Sequence, residues 1–181
     1  MRTRRQIPGS VMPGIGAYAP QYQGAGMQMN PRVLGFLGRA LSLEYSAGQH
    51  YLAQAALAGQ RGEQVYLEGF NHLANEEFTH AAQLTQRLVG LGALPAGSVL
   101  KPASPAMDII EALETCQARE VELINLYAQA ANYAANIGSG EDNELFARLH
   151  EEEMRQLKQV EQWLMTCHQS GCPSDMMQQW R

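Results

Sequence analysis

From residue 30 onward, apolar side chains recur every three or four positions in four long stretches punctuated by glycine and proline. That period puts them on one face of an α-helix. In the first stretch Asn30 can cap the helix and Pro31 fits its first turn. Leu37, Leu41, Gly48, Tyr51 and Ala55 form its stripe, which runs to about Gln60 before a short turn marked by Gly62. The second stretch, from about Gln64 to Leu91, carries Phe70, Leu73, Ala81, Leu84 and Leu88; Gly90, Gly92 and Pro95 end it. Residues from Ala93 to about Pro105 are rich in Pro, Gly and Ser. This connection exceeds a tight helical hairpin and is long enough to cross the length of a bundle. The third stretch, from about Ala106 to Ile137, carries Leu113, Cys116, Ile124 and Tyr127 and ends at Gly138-Ser139-Gly140. The fourth, from about Asp142 to Gln169, carries Phe146, Leu149, Leu157, Val160 and Leu164; Gly171, Cys172 and Pro173 stop it. Ser174 can cap a last short helix through Trp180. The pattern predicts an all-α fold: a four-helix bundle with one long crossover and a short C-terminal fifth helix.

Residues 1–30 hold Pro8, Pro13, Pro20, many glycines, and Met12, Met27 and Met29, with no helical or strand period. They are expected to form a flexible tail, with a docking peptide for a partner surface as the other reading. Residues 31–181 then form the folded domain.

Each of the four stripes is interrupted by one glutamate: Glu44, Glu77, Glu120 and Glu153, at intervals of 33, 43 and 33 residues. A carboxylate on an apolar helix face is costly unless something positive neutralises it. In an up-down bundle with these helix lengths the four meet at one level. Two divalent cations would balance their charge, and His80, three residues after Glu77, projects from the same side of its helix. Oxygen ligands with an imidazole suit iron or manganese, and no dedicated thiolate site accompanies them. The other reading of the same residues is a set of buried, hydrogen-bonded or rim glutamates.

Composition narrows the classes further. The chain of 181 residues has 13 Lys and Arg against 18 Asp and Glu, a net charge of −5, which excludes a general polyanion binder. Arg2, Arg4 and Arg5 are too few for a nucleic-acid footprint. With no apolar run of about 18 residues, neither a membrane span nor a secretory signal is expected. Three cysteines offer no disulfide framework, and a reducing cytoplasm is the expected setting. Cys167, His168 and Cys172, with Met165, Met176 and Met177, match no zinc spacing and read as helix-end packing.

The order Glu44, Glu77-Phe78-Thr79-His80, Glu120, Glu153 resembles the ferritin-like superfamily, and within it the bacterioferritins and bacterial ferritins, over about residues 31–181. The resemblance implies a ferritin-like bundle whose di-iron ferroxidase ligands are Glu44, Glu77, His80, Glu120 and Glu153, with Glu77 and Glu120 bridging two iron ions per subunit; manganese or zinc could take the same ligands. Tyr51, two turns beyond Glu44, is similar to a tyrosine found near such centres; plain core packing is the alternative. Gln156 stands where bacterioferritins carry a second histidine, and is a weaker ligand; His150 lies one turn away in the other direction. His72 and Glu76 match, in part, residues that bind iron on the inner surface of a cage. Phe78 occupies the place of the haem-ligating methionine, so no haem is expected there. The implied activity is oxidation of Fe(II) by O2 or H2O2 with mineral storage in a homo-oligomeric cage of 24 subunits. The alternatives are a weakly catalytic subunit that co-assembles with a competent partner in a hetero-oligomer, and a di-metal peroxidase or catalase.

Overall fold

The computed structural model describes residues 30–170; the N-terminal tail and the expected last helix lie outside the described residues. Four long helices follow in order: α1 (Pro31–Arg61), α2 (Gln64–Gly90), α3 (Ile109–Asn136) and α4 (Gly140–Ser170). Among the described residues there is no strand. α1 starts as the sequence predicts: the Asn30 side chain accepts the N–H groups of Arg32 at 2.9 Å and Val33 at 3.3 Å. α3 starts three residues later than expected, because Asp108 takes the cap. It accepts Glu111 N–H at 2.9 Å, while Glu111 reaches back to Met107 N–H at 2.7 Å.

α1 and α2 form one antiparallel hairpin, and α3 and α4 another. Both turns use left-handed backbone, at Gly62 (φ 77°) and Gly138 (φ 73°), which a side chain would strain. α1 packs on α3 to join the hairpins. The halves echo each other at an offset of 76 residues: Glu44 and Glu120, Tyr51 and Tyr127, Phe70 and Phe146, Glu77 and Glu153.

The apolar core is split in two along the bundle. One cluster gathers Leu37, Leu41, Leu84, Leu88, Phe146 and Leu149. The other gathers Phe70, Leu73, Leu113, Cys116, Val160 and Leu164. On α2, α3 and α4 the glutamate falls between the residues of the two clusters, and on α1 Glu44 lies near the same boundary, before Ala47 of the first cluster; all four are fully buried. Two stripe positions differ from the expected pattern. Ile124 and Leu157 are half-buried, and Leu123 takes the fully buried place on α3.

The crossover, residues 91–108, is fastened to a second buried face of α1 that the apolar stripe does not reveal. Ser46 Oγ accepts Lys101 N–H at 2.9 Å, and Gln54 Nε2 donates to Ser104 O at 2.8 Å. His50 Nδ1 accepts Ser104 N–H at 3.3 Å, and its Nε2 meets Thr115 Oγ1 at 3.2 Å. The Thr115 hydroxyl donates to Ala112 O, so His50 is the donor at Nε2 and is held neutral from both sides. Irregular backbone crossing a bundle thereby finds partners for its polar groups.

Gly62→Ala is expected to destabilise the fold by about 1–2 kcal/mol. Gly35→Ala, inside α1 with open space at its Cβ position, should stabilise it by about 0.5–1 kcal/mol. Chemical denaturation of the two variants side by side checks both signs.

Candidate metal centre

In the layer between the two apolar clusters, Glu44 on α1, Glu77 and His80 on α2 and Glu153 on α4 each offer one ligand atom, all within 4.8 Å of one another and all buried. The periodicity that fills the core makes this meeting: each glutamate replaces an apolar residue one turn from its neighbours on the stripe. His80 Nδ1 approaches Glu153 Oε1 to 2.7 Å and Glu44 Oε2 to 3.6 Å, while its Nε2 faces Glu152 Oε2 at 3.0 Å.

The buried oxygens divide in a telling way. Tyr127 on α3 donates its hydroxyl to Glu44 Oε1, and Tyr51 on α1 donates to Glu120 Oε1. Glu44 and Glu120 thus keep one oxygen each without a hydrogen-bond partner, whereas Glu77 and Glu153 keep both. His80 Nδ1, although 2.7 Å from Glu153 Oε1, is not aligned for a hydrogen bond to it, and both amide atoms of Gln156 lack a partner as well. Native interiors rarely leave buried polar atoms unpaired, and so many in one layer mark a place that a cation completes. The donors are carboxylate oxygens, one imidazole nitrogen and one amide, a set that fits hard divalent ions.

This pattern departs from the expected bridge. Glu120 is turned to Tyr51 and lies outside the group of four, whereas Glu153 belongs to it with neither oxygen hydrogen-bonded, Oε1 being in close contact with His80. The pair with four free oxygens is Glu77 and Glu153. Tyr127, a member of the α3 stripe, mirrors Tyr51. Its signal was its position seven residues after Glu120, the same step as from Glu44 to Tyr51. The two tyrosines also pack alike, Tyr51 against Phe70 at 6.2 Å between ring centroids and Tyr127 against Phe146 at 6.3 Å.

Gln156 is buried beside this layer, 4% exposed. His72 and Glu76 are not brought into it. They form an ion pair at 3.8 Å, with 74% of the His72 side chain exposed. His150 is half-buried and likewise stands outside the group. Cys116 is fully buried, its thiol pushed well up by burial and then by the Glu120 charge. Cys167 packs at the far end, its Sγ 3.0 Å from the Tyr66 hydroxyl; Cys172, Met176 and Met177 lie outside the described residues. Phe78 lies against Tyr45, ring centroids 6.4 Å apart.

Without cations, protons do the neutralising. Burial, then the charges of Glu153 and Glu44, pushes Glu77 well above the ordinary carboxylate range, and burial and Glu153 do the same to Glu120. Burial and Glu44 raise Glu153 to about 7, against the pull of His80. Burial lowers the proton affinity of His80, but Glu153 and Glu44 outweigh it and carry the imidazole up to about 10. Burial raises both tyrosines, which therefore remain hydroxyl donors. His50, by contrast, is lowered to about 4 by burial and then by Arg119.

A ferritin-like domain family matches residues 36–170. The fold is similar to that of a bacterioferritin from Rhodobacter capsulatus, solved with a metal-free dinuclear site and a haem iron in a crystallographic special position. The TM-score is 0.75 and the identity 25%, over 78% of this chain and 89% of that one. Among curated protein sequences none matches. No helix among the described residues is long and apolar enough to cross a membrane.

These shifts fix a pH dependence. Glu77, Glu120, Glu153 and His80 hold protons in the fold to a higher pH than in the unfolded chain. Their contribution is present at low pH and is lost as pH rises through their folded values. His50 acts oppositely, but its effect is complete by about pH 6.5, the unfolded value. Between about pH 6.5 and 9 the stability of the metal-free protein should therefore fall, at up to ~1.4 kcal/mol per pH unit for each group titrating, and its melting temperature with it. Zn(II) should reverse the trend, since its ligands bind deprotonated. A metal-free melting temperature that rises over this range would contradict the assignment.

Proposed function

We propose that this chain, which belongs to the ferritin family of ferritin-like domains, oxidises Fe(II) to Fe(III) at a dinuclear centre and stores the product as mineral inside an oligomeric cage. The observation that carries the reading is the division of buried oxygens: four free on Glu77 and Glu153, one each on Glu44 and Glu120. Two carboxylates with both oxygens available are suited to bridge two ions. Two carboxylates with one oxygen tied to a tyrosine are suited to hold one ion each from the flanks. Glu44 and His80 would hold one ion and Glu120 and Gln156 the other, with Glu77 and Glu153 available to both.

Iron here is substrate. The residues bring two Fe(II) ions together, so that O2 or H2O2 can take an electron from each. The concentrated negative charge favours Fe(III) over Fe(II) once the protons on the glutamates have been displaced. Tyr51 and Tyr127 keep Glu120 and Glu44 oriented, and the apolar clusters on either side hold bulk water away. Gln156, a neutral ligand where the other half has His80, holds its ion less tightly, which favours release of oxidised iron towards a store. By likeness to the family the assembly is a cage of 24 copies in the cytoplasm. His72 and Glu76 are then candidate contacts for iron on its way to the mineral. Phe78 has no lone pair to offer a haem iron.

Gln156 also motivates the second reading, a poorly catalytic subunit that co-assembles with a competent one. Anaerobic loading with Fe(II) followed by O2 separates the cases. A storage ferroxidase gives a fast ferric absorbance rise saturating at about two irons per chain, followed by slower uptake of many more. Oxidation no faster than in buffer supports the co-assembling subunit. Steady peroxide turnover without mineral supports a di-metal peroxidase or catalase. Glu77→Ala and Glu153→Ala are each expected to lower the fast phase on the order of 100-fold. Glu76→Ala should leave the fast phase unchanged and slow the later uptake.

A further inference from the structure

Glu152 is not part of the ligand set, and in sequence it is one residue of the acidic run Glu151-Glu152-Glu153. On α4 it lies one position before a proposed bridging glutamate, so its side chain leaves the helix in a different direction from that of Glu153. Its carboxylate nevertheless reaches the centre from outside. Oε2 is 3.0 Å from His80 Nε2, and the His80 side chain is 5% exposed against 24% for Glu152. The other oxygen, Oε1, points towards Arg155 Nη2 at 3.9 Å. The first contact is at hydrogen-bond distance; the second is a loose pairing on the exposed side.

The two ring nitrogens of His80 face opposite requirements. Nδ1 points at Glu153 and Glu44, where a metal ion would take its lone pair. For that lone pair to exist on a neutral ring, the proton must reside on Nε2, and a buried Nε2–H needs an acceptor. Glu152 Oε2, 3.0 Å away, is the carboxylate oxygen placed to serve. The other half of the bundle lacks the counterpart: Glu76 occupies the equivalent step before Glu77 but pairs with His72, and the residue at the place of His80 is Gln156, its amide atoms unpartnered.

We infer that Glu152 is a positioning residue for the subsite of His80, holding the Nε2–H so that Nδ1 is presented to the metal ion. The inference rests on the proposed metal centre and deepens it. Carboxylate, imidazole and metal would form a line running from solvent to the buried layer. Arg155, 68% exposed, contributes little to holding it.

The test is an anaerobic Co(II) titration of the full chain, followed by visible absorption. It reads the binding step without any oxidation. Glu152→Ala is expected to weaken the tighter Co(II) step about 10–100-fold and to shift its absorption bands. Glu152→Gln, whose amide oxygen still accepts Nε2–H, should recover most of the affinity. Arg155→Ala should leave both affinity and spectrum as they are. Glu152→Leu, with similar bulk and no acceptor, repeats the test should alanine disturb the helix. Native affinity and spectrum in Glu152→Ala or Glu152→Leu, while His80→Ala loses binding, would overturn the inference and leave the metal centre standing. An equal loss in Arg155→Ala would assign the effect to the surface ion pair and overturn it too. Unchanged binding in His80→Ala would overturn the metal centre itself.

Discussion

Four carboxylates buried at one level of a helical bundle are the constraint around which the rest of this fold is arranged. Each ion removed from water costs several kcal/mol in effective terms, and four of the same sign repel one another besides. The protein meets this with three devices. Protons are retained on Glu77, Glu120 and Glu153 well past their ordinary range. One imidazole, His80, is drawn to positive charge. Two tyrosines donate hydrogen bonds to Glu44 and Glu120. All three leave unpartnered oxygens behind, and a pair of divalent cations would satisfy the remainder. The apolar clusters above and below keep the layer dry, and it is this dryness that gives the charges their strength.

The near-repeat of the two hairpins accounts for both the symmetry of the site and its main asymmetry. Glutamate, tyrosine and phenylalanine recur at the same offset in both halves, so each half supplies one flanking carboxylate, one carboxylate with both oxygens free, and a tyrosine for the other half's flank. The histidine does not recur. Its place is taken by Gln156, and only His80 has an outer carboxylate against it. Two ions bound here would therefore differ in how firmly they are held.

Much of this was legible in the sequence, for a simple reason. A glutamate inside an apolar stripe breaks a pattern of period 3.6, and four breaks at matched intervals imply one level in a bundle. Helix limits followed from Asn30, Gly62 and Gly138, whose conformational roles are local. What was not legible depends on which oxygen meets which neighbour across helices. The stripe gives the position of Glu120 but not that Tyr51 occupies one of its oxygens, which is why the proposed bridge uses Glu77 and Glu153 rather than the expected Glu77 and Glu120. Ser46, His50 and Gln54 lie off the apolar stripe of α1 yet are buried. Their burial comes from the crossover, which has no periodicity to announce where it lies. Glu152 was hidden for the same reason, as one of three consecutive glutamates distinguished only by the reach of its side chain to another helix.

The most direct measurement is anomalous diffraction from crystals loaded anaerobically with Fe(II). Two iron peaks are expected in the buried layer, one against Glu44 and His80, the other against Glu120 and Gln156, with Glu77 and Glu153 touching both. A layer that stays free of iron, or iron bridged by Glu120 while Glu153 turns away, would contradict the assignment of the centre.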